Sequence, residues 1–309
     1  MNWLVLVAVA ILTDSIRIFI DNYASDVYFK GNGAVSQKLF YAYTSIFFAI
    51  ILALIGGLDF TSTPALTFLL LILSGIISSI ASIPYYKALE IDNSTNLGIF
   101  IQLAPALYLI LGWLFLGETV SWPQLLAIPI ILAAPTLIVL TSRKNSRKTR
   151  ARAILFSFLY VLGAVIGNLI FVEQSAGAEN LNLLTEIGLV LFGKGLGAFL
   201  IFLIVPKWRH RFRQVVKTSN FRVFRPLTAN AIIGLIKDIS YRTALAIAPS
   251  VALVSATADS TEPIIIFFMG LVLTLIWPKF GRETLNSKTV FVHVIATVLV
   301  VISIILLQV

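Results

Sequence analysis

Ten long apolar runs dominate this sequence of 309 residues. Each run is about 20 residues long, which is the length that an α-helix needs to cross a hydrocarbon core of about 30 Å. The chain is 59% apolar and only 12% charged. The pattern therefore predicts an all-α polytopic membrane protein with ten transmembrane helices. The predicted spans are residues 3–21, 35–57, 64–87, 96–116, 121–141, 153–172, 187–205, 227–247, 251–277 and 289–308.

Lysine and arginine outside these runs are confined to alternate connections. The basic stretches 143–152 and 207–225 lie in odd-numbered connections, whereas the even-numbered 56–65 and 173–186 contain neither residue type. Basic loops remain in the cytoplasm. We therefore expect a protein of the cell (inner) membrane whose odd connections are cytoplasmic and whose two termini lie on the outer side. The net charge of +9 then reflects orientation and contact with anionic lipid headgroups, and we expect no nucleic-acid partner.

The chain divides into two similar halves. The stretch "ALEIDNSTNL" (88–97) is similar to "ALAIAPSVAL" (244–253), and each precedes a span that contains a proline. We predict a first five-helix repeat over 1–142, a basic cytoplasmic linker over 143–152 and a second repeat over 153–309. An odd number of spans in each half makes the halves inverted relative to each other, as in many secondary transporters.

These features resemble the drug/metabolite transporter superfamily, EamA type. The resemblance rests on the five-plus-five arrangement, on Pro105 followed by Gly117-Glu118, and on Glu262-Pro263 followed by Glu283. It implies a ten-helix transporter that moves small organic solutes, often amino acids or other metabolites, and that is not an enzyme. The charges in the first span depart from the usual pattern of the family.

Charged side chains inside the predicted spans point to a functional site. A charge at the middle of a membrane helix costs about 2.5–3.5 kcal/mol, so such residues face the bundle interior, pair, or line a hydrated path. Asp14, Arg17 and Asp21 follow one stripe of the first span, and Asp238 and Arg242 are one turn apart on the eighth. We predict a substrate site formed by Asp14, Arg17, Tyr85, Lys237, Asp238, Tyr241, Arg242, Asp259 and Glu262. The alternative is a purely structural ion network.

The intramembrane charges balance in sign, because five positive residues face five negative ones. They are Arg17, Lys87, Lys194, Lys237 and Arg242 against Asp14, Asp21, Asp238, Asp259 and Glu262. A site with both signs suits a zwitterion, because its carboxylate and its ammonium group each need a partner away from water. We therefore expect a secondary transporter for an amino acid or a related zwitterion that works as a monomer by alternating access. Asp14, Asp259 and Glu262 are candidate proton carriers, as acidic residues in transporter spans often are. Lipophilic cations or drugs and phosphorylated metabolites are the alternative substrates, and a non-transporting membrane scaffold is the alternative class.

Enzymatic and cofactor chemistry find little support in the sequence. There is no cysteine, and the two histidines, His210 and His293, are far apart. No metal-binding or hydrolase motif is present. Lys194 follows Gly193 in a glycine-containing run that lacks the rest of a phosphate-binding loop, so we interpret Gly193 and Gly197 as small residues at a helix crossing. We expect neither a cofactor nor a bound metal.

Overall fold

The computed structural model shows a bundle of helices. It describes residues 2–24, 33–57, 63–91, 103–119, 121–127, 129–130, 133, 147–177, 181–218, 221–276 and 287–308. The helices are α1 (Trp3–Ala24), α2 (Gly33–Gly56), α3 (Ala65–Ile91), α4 (Ala104–Leu111), α5 (Arg147–Gly177), α6 (Leu183–Ile204), α7 (Pro206–Thr218), α8 (Phe221–Ile247), α9 (Val251–Ile276) and α10 (Ser287–Gln308). The described residues contain no strand.

This architecture confirms the predicted class of an all-α membrane protein. Five of the described helices are long and apolar enough to cross a bilayer, over residues 3–21, 65–85, 155–177, 183–204 and 251–270. The predicted fifth span, 121–141, lies mostly outside the described residues, so the count of ten stays a prediction. Many large apolar side chains are exposed on the outside of the bundle, as expected where a protein contacts lipid.

Several helix boundaries differ from the spans and the linker that the sequence predicts. The basic stretch 207–225 is largely helical, because α7 covers Pro206–Thr218 and α8 already begins at Phe221. Helix α7 packs its aromatic residues Trp208 and Phe212 against Ala42 and Ala198 of α2 and α6. The second part of the predicted linker 143–152 is also helical, since α5 begins at Arg147. Pro105, expected inside a span, lies in the first turn of α4, where a missing N–H costs least.

Helices of the first half pack mainly against helices of the second half. Helix α1 contacts α8 and α9, α2 contacts α6 and α8, α3 contacts α5 and α6, and α4 contacts α5 and α9. Exchanging α1 with α5, α2 with α6, α3 with α8 and α4 with α9 leaves this set of contacts unchanged. Such a pattern is what two inverted repeats would give. The division at 142 and 153 stays a prediction.

The tightest crossing joins α3 to α6 through glycines. A Cβ atom on Gly193 would lie 2.0 Å from the Ile72 carbonyl oxygen, and one on Gly75 would lie 2.0 Å from that of Val190. Only glycine permits such a close backbone approach, which is a common way of packing membrane helices. The crossing fixes Lys194, the next residue after Gly193, in the middle of the bundle.

Candidate functional site

A polar cavity of about 130 Å³ lies between α1, α4, α5, α8 and α9. Five helices from different parts of the chain supply its lining residues. Both halves of the chain contribute to it. The lining residues are Ala10, Ile11, Asp14, Ala104, Tyr108, Tyr160, Val161, Ala164, Val165, Asn168, Lys237, Tyr241, Ala258, Asp259 and Glu262.

Asp14 is the centre of an ion network at one wall of this cavity. Its Oδ2 lies 3.2 Å from Lys237 Nζ, and its Oδ1 lies 3.4 Å from Arg17 Nη1. Arg17 in turn lies against Gly234 of α8, where a Cβ atom would be 3.5 Å from its Nε. The network thus holds α1 against α8, and one carboxylate is shared by two cations.

Two further carboxyl groups enter the cavity from α9. Asp259 accepts a hydrogen bond from the Ser255 hydroxyl one turn earlier, and Glu262 lies nearly one turn later on the same face. Together with Asp14 they give the cavity three carboxyl groups, whereas Lys237 is the one ammonium group among the lining residues. The cavity therefore has an excess of acidic groups at a depth where charge is costly.

Tyrosines and an asparagine complete the cavity wall. Tyr108 is 2% exposed, and its hydroxyl accepts a hydrogen bond of 2.6 Å from Asn168 Nδ2. Tyr241 of α8 also belongs to the lining. Lys237 Nζ lies 5.6 Å from the centroid of the Tyr241 ring, within the range of a cation–π contact.

A second group of charges lies outside the cavity lining, and we call it the arginine cluster. It comprises Lys194 of α6 with Asp238 and Arg242 of α8. Lys194 Nζ lies 2.6 Å from Asp238 Oδ2. Arg242 is 3% exposed, and its guanidinium carbon lies 4.9 Å from the centroid of the Phe171 ring.

A third polar group joins α1, α2 and α8 closer to the odd-numbered connections, and we call it the odd-side cluster. Asp21 Oδ1 accepts hydrogen bonds from the Tyr41 hydroxyl at 2.6 Å and from Asn230 Nδ2 at 2.7 Å. Arg17 Nε lies 4.0 Å from Asp21 Oδ2, and its guanidinium carbon lies 5.5 Å from the centroid of the Tyr41 ring. Asp21 is therefore tied into the bundle rather than turned toward the membrane surface.

A carboxylate also links the halves at the opposite, even-numbered end. A π-helical turn, Gly112–Leu116, follows α4 and ends at Gly117, which has a φ of 66°. The reversal directs Glu118 to the start of α9, where its Oε1 accepts a hydrogen bond of 3.0 Å from Val251 N and its Oε2 one of 3.1 Å from Ser250 Oγ. A carboxylate at a helix N-terminus stabilises the helix dipole.

The structure thus sorts the nine predicted site residues into two groups. Asp14, Lys237, Tyr241, Asp259 and Glu262 line the cavity. The other four lie outside its lining: Arg17 contacts Asp14, Tyr85 contacts Tyr160 with ring centroids 4.9 Å apart, and Asp238 and Arg242 belong to the arginine cluster.

Sequence reasoning missed Tyr108, Tyr160 and Asn168, which also line the cavity. A polar asparagine in the middle of an apolar span was the available signal for Asn168, whereas isolated tyrosines resemble interfacial aromatics. Within the described ranges, no group of three histidine, aspartate or glutamate side chains is arranged to hold a metal ion.

Comparison with known proteins gives one family match. Residues 30–141 match the EamA-like transporter family, and this segment contains α2 to α4, including Tyr108 and Glu118. One solved crystal structure is similar over 99% of this chain and 96% of its own, with a TM-score of 0.68 and 15% sequence identity. That likeness concerns the fold alone, and no curated protein matches the sequence.

This match and the apolar helices indicate an integral membrane protein. EamA-like proteins are membrane transporters of the drug/metabolite type and are not enzymes. The predicted resemblance to this family is confirmed over residues 30–141, the segment that contains Pro105 and Gly117-Glu118.

Proposed function

We propose that this protein is an EamA-like transporter that moves an amino acid or a related zwitterion by alternating access through the cavity between α1, α4, α5, α8 and α9. The observation that carries this proposal is the presence of three carboxyl groups and one ammonium group in a single cavity built by both halves. Secondary transporters with inverted repeats place their substrate sites in this position.

The chemistry of the lining supports a solute with an amino group. The α-ammonium group of an amino acid would bind between Asp259 and Glu262, which enter from the same face of α9. Its carboxylate would lie toward Lys237, the cation of the lining. Both ends of the zwitterion would then exchange water for charged partners, which is the condition for moving it into a poorly hydrated site.

The odd-side cluster and the Glu118 link lie at opposite ends of the bundle. They would close the cavity in turn during an alternating-access cycle. The odd-side cluster joins α1 to α2 and α8 through Asp21, Tyr41 and Asn230. At the opposite end, Glu118 joins the turn after α4 to the start of α9. Each link connects the first half of the chain with the second, so breaking one link at a time would open the cavity to one side at a time.

Proton coupling is part of the proposal. Asp14, Asp259 and Glu262 outnumber the single ammonium group of the lining, so uptake of protons would reduce the excess negative charge when the substrate leaves. In proteoliposomes, an imposed pH gradient should therefore change the initial rate of amino acid transport. A rate that is independent of the gradient in both directions would exclude coupling.

A cationic solute without a carboxylate is the second candidate. Tyr108, Tyr160 and Tyr241 give the cavity an aromatic wall, and aromatic faces attract organic cations. A phosphorylated solute would need several cations, whereas Lys237 is the one lysine or arginine among the lining residues. A membrane scaffold would need no such cavity.

Thermal stabilisation of the purified protein tests the substrate class. The panel contains the proteinogenic amino acids, polyamines, lipophilic cations and sugar phosphates, applied to the wild type and to Asp259→Asn. We expect amino acids to stabilise the wild type and to lose this effect in the variant. Glu186→Gln is the matched control, because Glu186 is a buried carboxyl group that is bound by Ser175 and does not line the cavity. Stabilisation by cations alone would favour the second candidate.

We propose in addition that the protein is a monomer in the cell (inner) membrane, with the odd connections cytoplasmic and both termini outside. The absence of cysteine makes this directly testable. A single cysteine at Asn2 should react with a membrane-impermeant maleimide in intact cells, whereas one at Lys207 on α7 should react only after lysis. The reverse pattern would overturn the orientation, and a size in nanodiscs above one chain would overturn the monomer.

A further inference from the structure

Arg242 is a buried cation whose hydrogen bonds are incomplete. The residue is 3% exposed, and within the part of the chain that the structure describes its Nε and Nη1 atoms have no hydrogen-bond partner. These two atoms hold most of the N–H donors of a guanidinium group. Buried donors are normally satisfied, and those of a charged group are especially costly to leave unpaired. The arrangement indicates that a partner is missing from this conformation.

The neighbours of Arg242 among the described residues do not supply that partner. Asp238, one turn earlier on α8, lies against Lys194 Nζ at 2.6 Å. On its other side Arg242 meets the face of the Phe171 ring, which attracts the cation but accepts no in-plane hydrogen bond. The arginine cluster therefore holds two cations and one carboxylate, so it has an excess of positive charge.

This excess is opposite in sign to that of the neighbouring cavity. The cavity lining has three carboxyl groups and one ammonium group. Arg242 follows Tyr241 directly on α8, and Tyr241 belongs to the cavity lining. The arginine cluster and the acidic cavity are therefore adjacent along α8.

We propose that Arg242 is a subsite for the carboxylate of the transported solute. The inference rests on the proposed function, since the acidic cavity would bind the ammonium group of the same solute. A zwitterion would then bridge the acidic cavity and the arginine cluster. Lys237, already paired with Asp14, would then guide the carboxylate toward Arg242 rather than hold it.

Matched ligands separate the two ends of the solute. The probes are leucine, its decarboxylated amine isoamylamine and its deaminated carboxylate 4-methylpentanoate, together with alanine, ethylamine and propionate. Binding to the purified full-length protein is measured by thermal stabilisation over a concentration series. We expect Arg242→Gln to weaken amino acid binding by about tenfold or more while leaving amine binding unchanged. Arg242→Lys should restore part of the preference for the amino acid over the amine.

The outcomes distinguish this inference from the proposed function. Equal losses of amino acid and amine binding in Arg242→Gln would overturn the subsite and leave a structural arginine. Binding of the carboxylates that disappears in Arg242→Gln, without any binding of amines, would support the subsite and reject the zwitterion. Binding of amines but of neither amino acids nor carboxylates would reject both, as would no response to any probe.

Discussion

The ion pair between Asp14 and Lys237 allows a quantitative test of the site. Their charged atoms are 3.2 Å apart, and the two side chains are 20% and 25% exposed. At an effective dielectric constant of about 20, charges at that distance attract with about 5 kcal/mol, much of which is offset by the loss of hydration. Removing one partner of a buried pair costs about 3–5 kcal/mol, because the other charge remains buried.

The two single variants should differ, since Asp14 has a second cation. In Lys237→Gln, Asp14 keeps Arg17 at 3.4 Å, so we expect the free energy of unfolding to fall by about 2.5 kcal/mol, just below the usual range. In Asp14→Asn, Lys237 and Arg17 lose their shared carboxylate and repel each other. We therefore expect the free energy of unfolding to fall by about 4 kcal/mol. The double variant should cost about 4.5 kcal/mol rather than the sum, because contacting residues couple by about 2 kcal/mol.

Thermal unfolding at one fixed scan rate measures these differences. With about 2 °C for each kcal/mol in a chain of this length, we expect losses of about 5 °C for Lys237→Gln, 8 °C for Asp14→Asn and 9 °C for the double variant. Lys207→Gln, an exposed change on α7, is the control and should stay within about 1 °C of wild type. Additive losses, or a greater loss for Lys237→Gln than for Asp14→Asn, would refute the shared carboxylate.

Three contacts elsewhere in the bundle give further expectations for the same assay. Gly193→Ala should cost about 1–3 kcal/mol, because its Cβ would lie 2.0 Å from a backbone oxygen of α3, whereas Gly177→Ala, with nothing within 4 Å, should be tolerated. Glu118→Gln should cost about 0.5–1 kcal/mol by removing a charge from the α9 N-terminus, and added salt should shrink the difference. Asn230→Leu should cost about 1–3 kcal/mol through the buried donors and acceptors it leaves unpaired; no loss would contradict the odd-side cluster.

The charges of α1 show what a sequence can predict in a membrane helix. The spacing of Asp14, Arg17 and Asp21 places them on one stripe, and the structure pairs Arg17 with both acids. Pairs within one helix follow from helical geometry alone. The partners on other helices do not, and neither Lys237 beside Asp14 nor Asn230 beside Asp21 follows from any local pattern.

Helix α8 shows why the site could only be predicted in part. Lys237 and Asp238 are adjacent in the chain, yet only Lys237 lines the cavity. In a soluble helix the polar face identifies the solvent side, but a membrane helix is apolar on its lipid face and on its packing face alike. The sequence therefore identifies intramembrane charges as a set without dividing them between the cavity and the arginine cluster.

The glycines beside Lys194 predict the helix crossing there but not the ion pair that the lysine forms. Its flanking glycines do form a close helix crossing, as the sequence indicates. The consequence for the lysine depends on α8, which brings Asp238 to 2.6 Å from its Nζ although the two residues are far apart in the chain. Helix α7 is a different case, because Trp208 and Phe212 are one turn apart and their spacing already favours an amphipathic helix.

The double variant Asp14→Asn/Lys237→Gln also separates structure from transport. A buried ion pair is weak evidence for stability, because apolar residues of similar volume often replace one without loss. If the pair only held α1 against α8, the double variant should transport at the wild-type rate once its smaller folded fraction is taken into account. The proposed cycle requires more, because Lys237 attracts the carboxylate of the solute and Asp14 takes up a proton. We therefore expect folded double variant to lose nearly all amino acid transport while Glu186→Gln retains it. Normal transport by the double variant would show that these charges are structural and that the solute passes elsewhere.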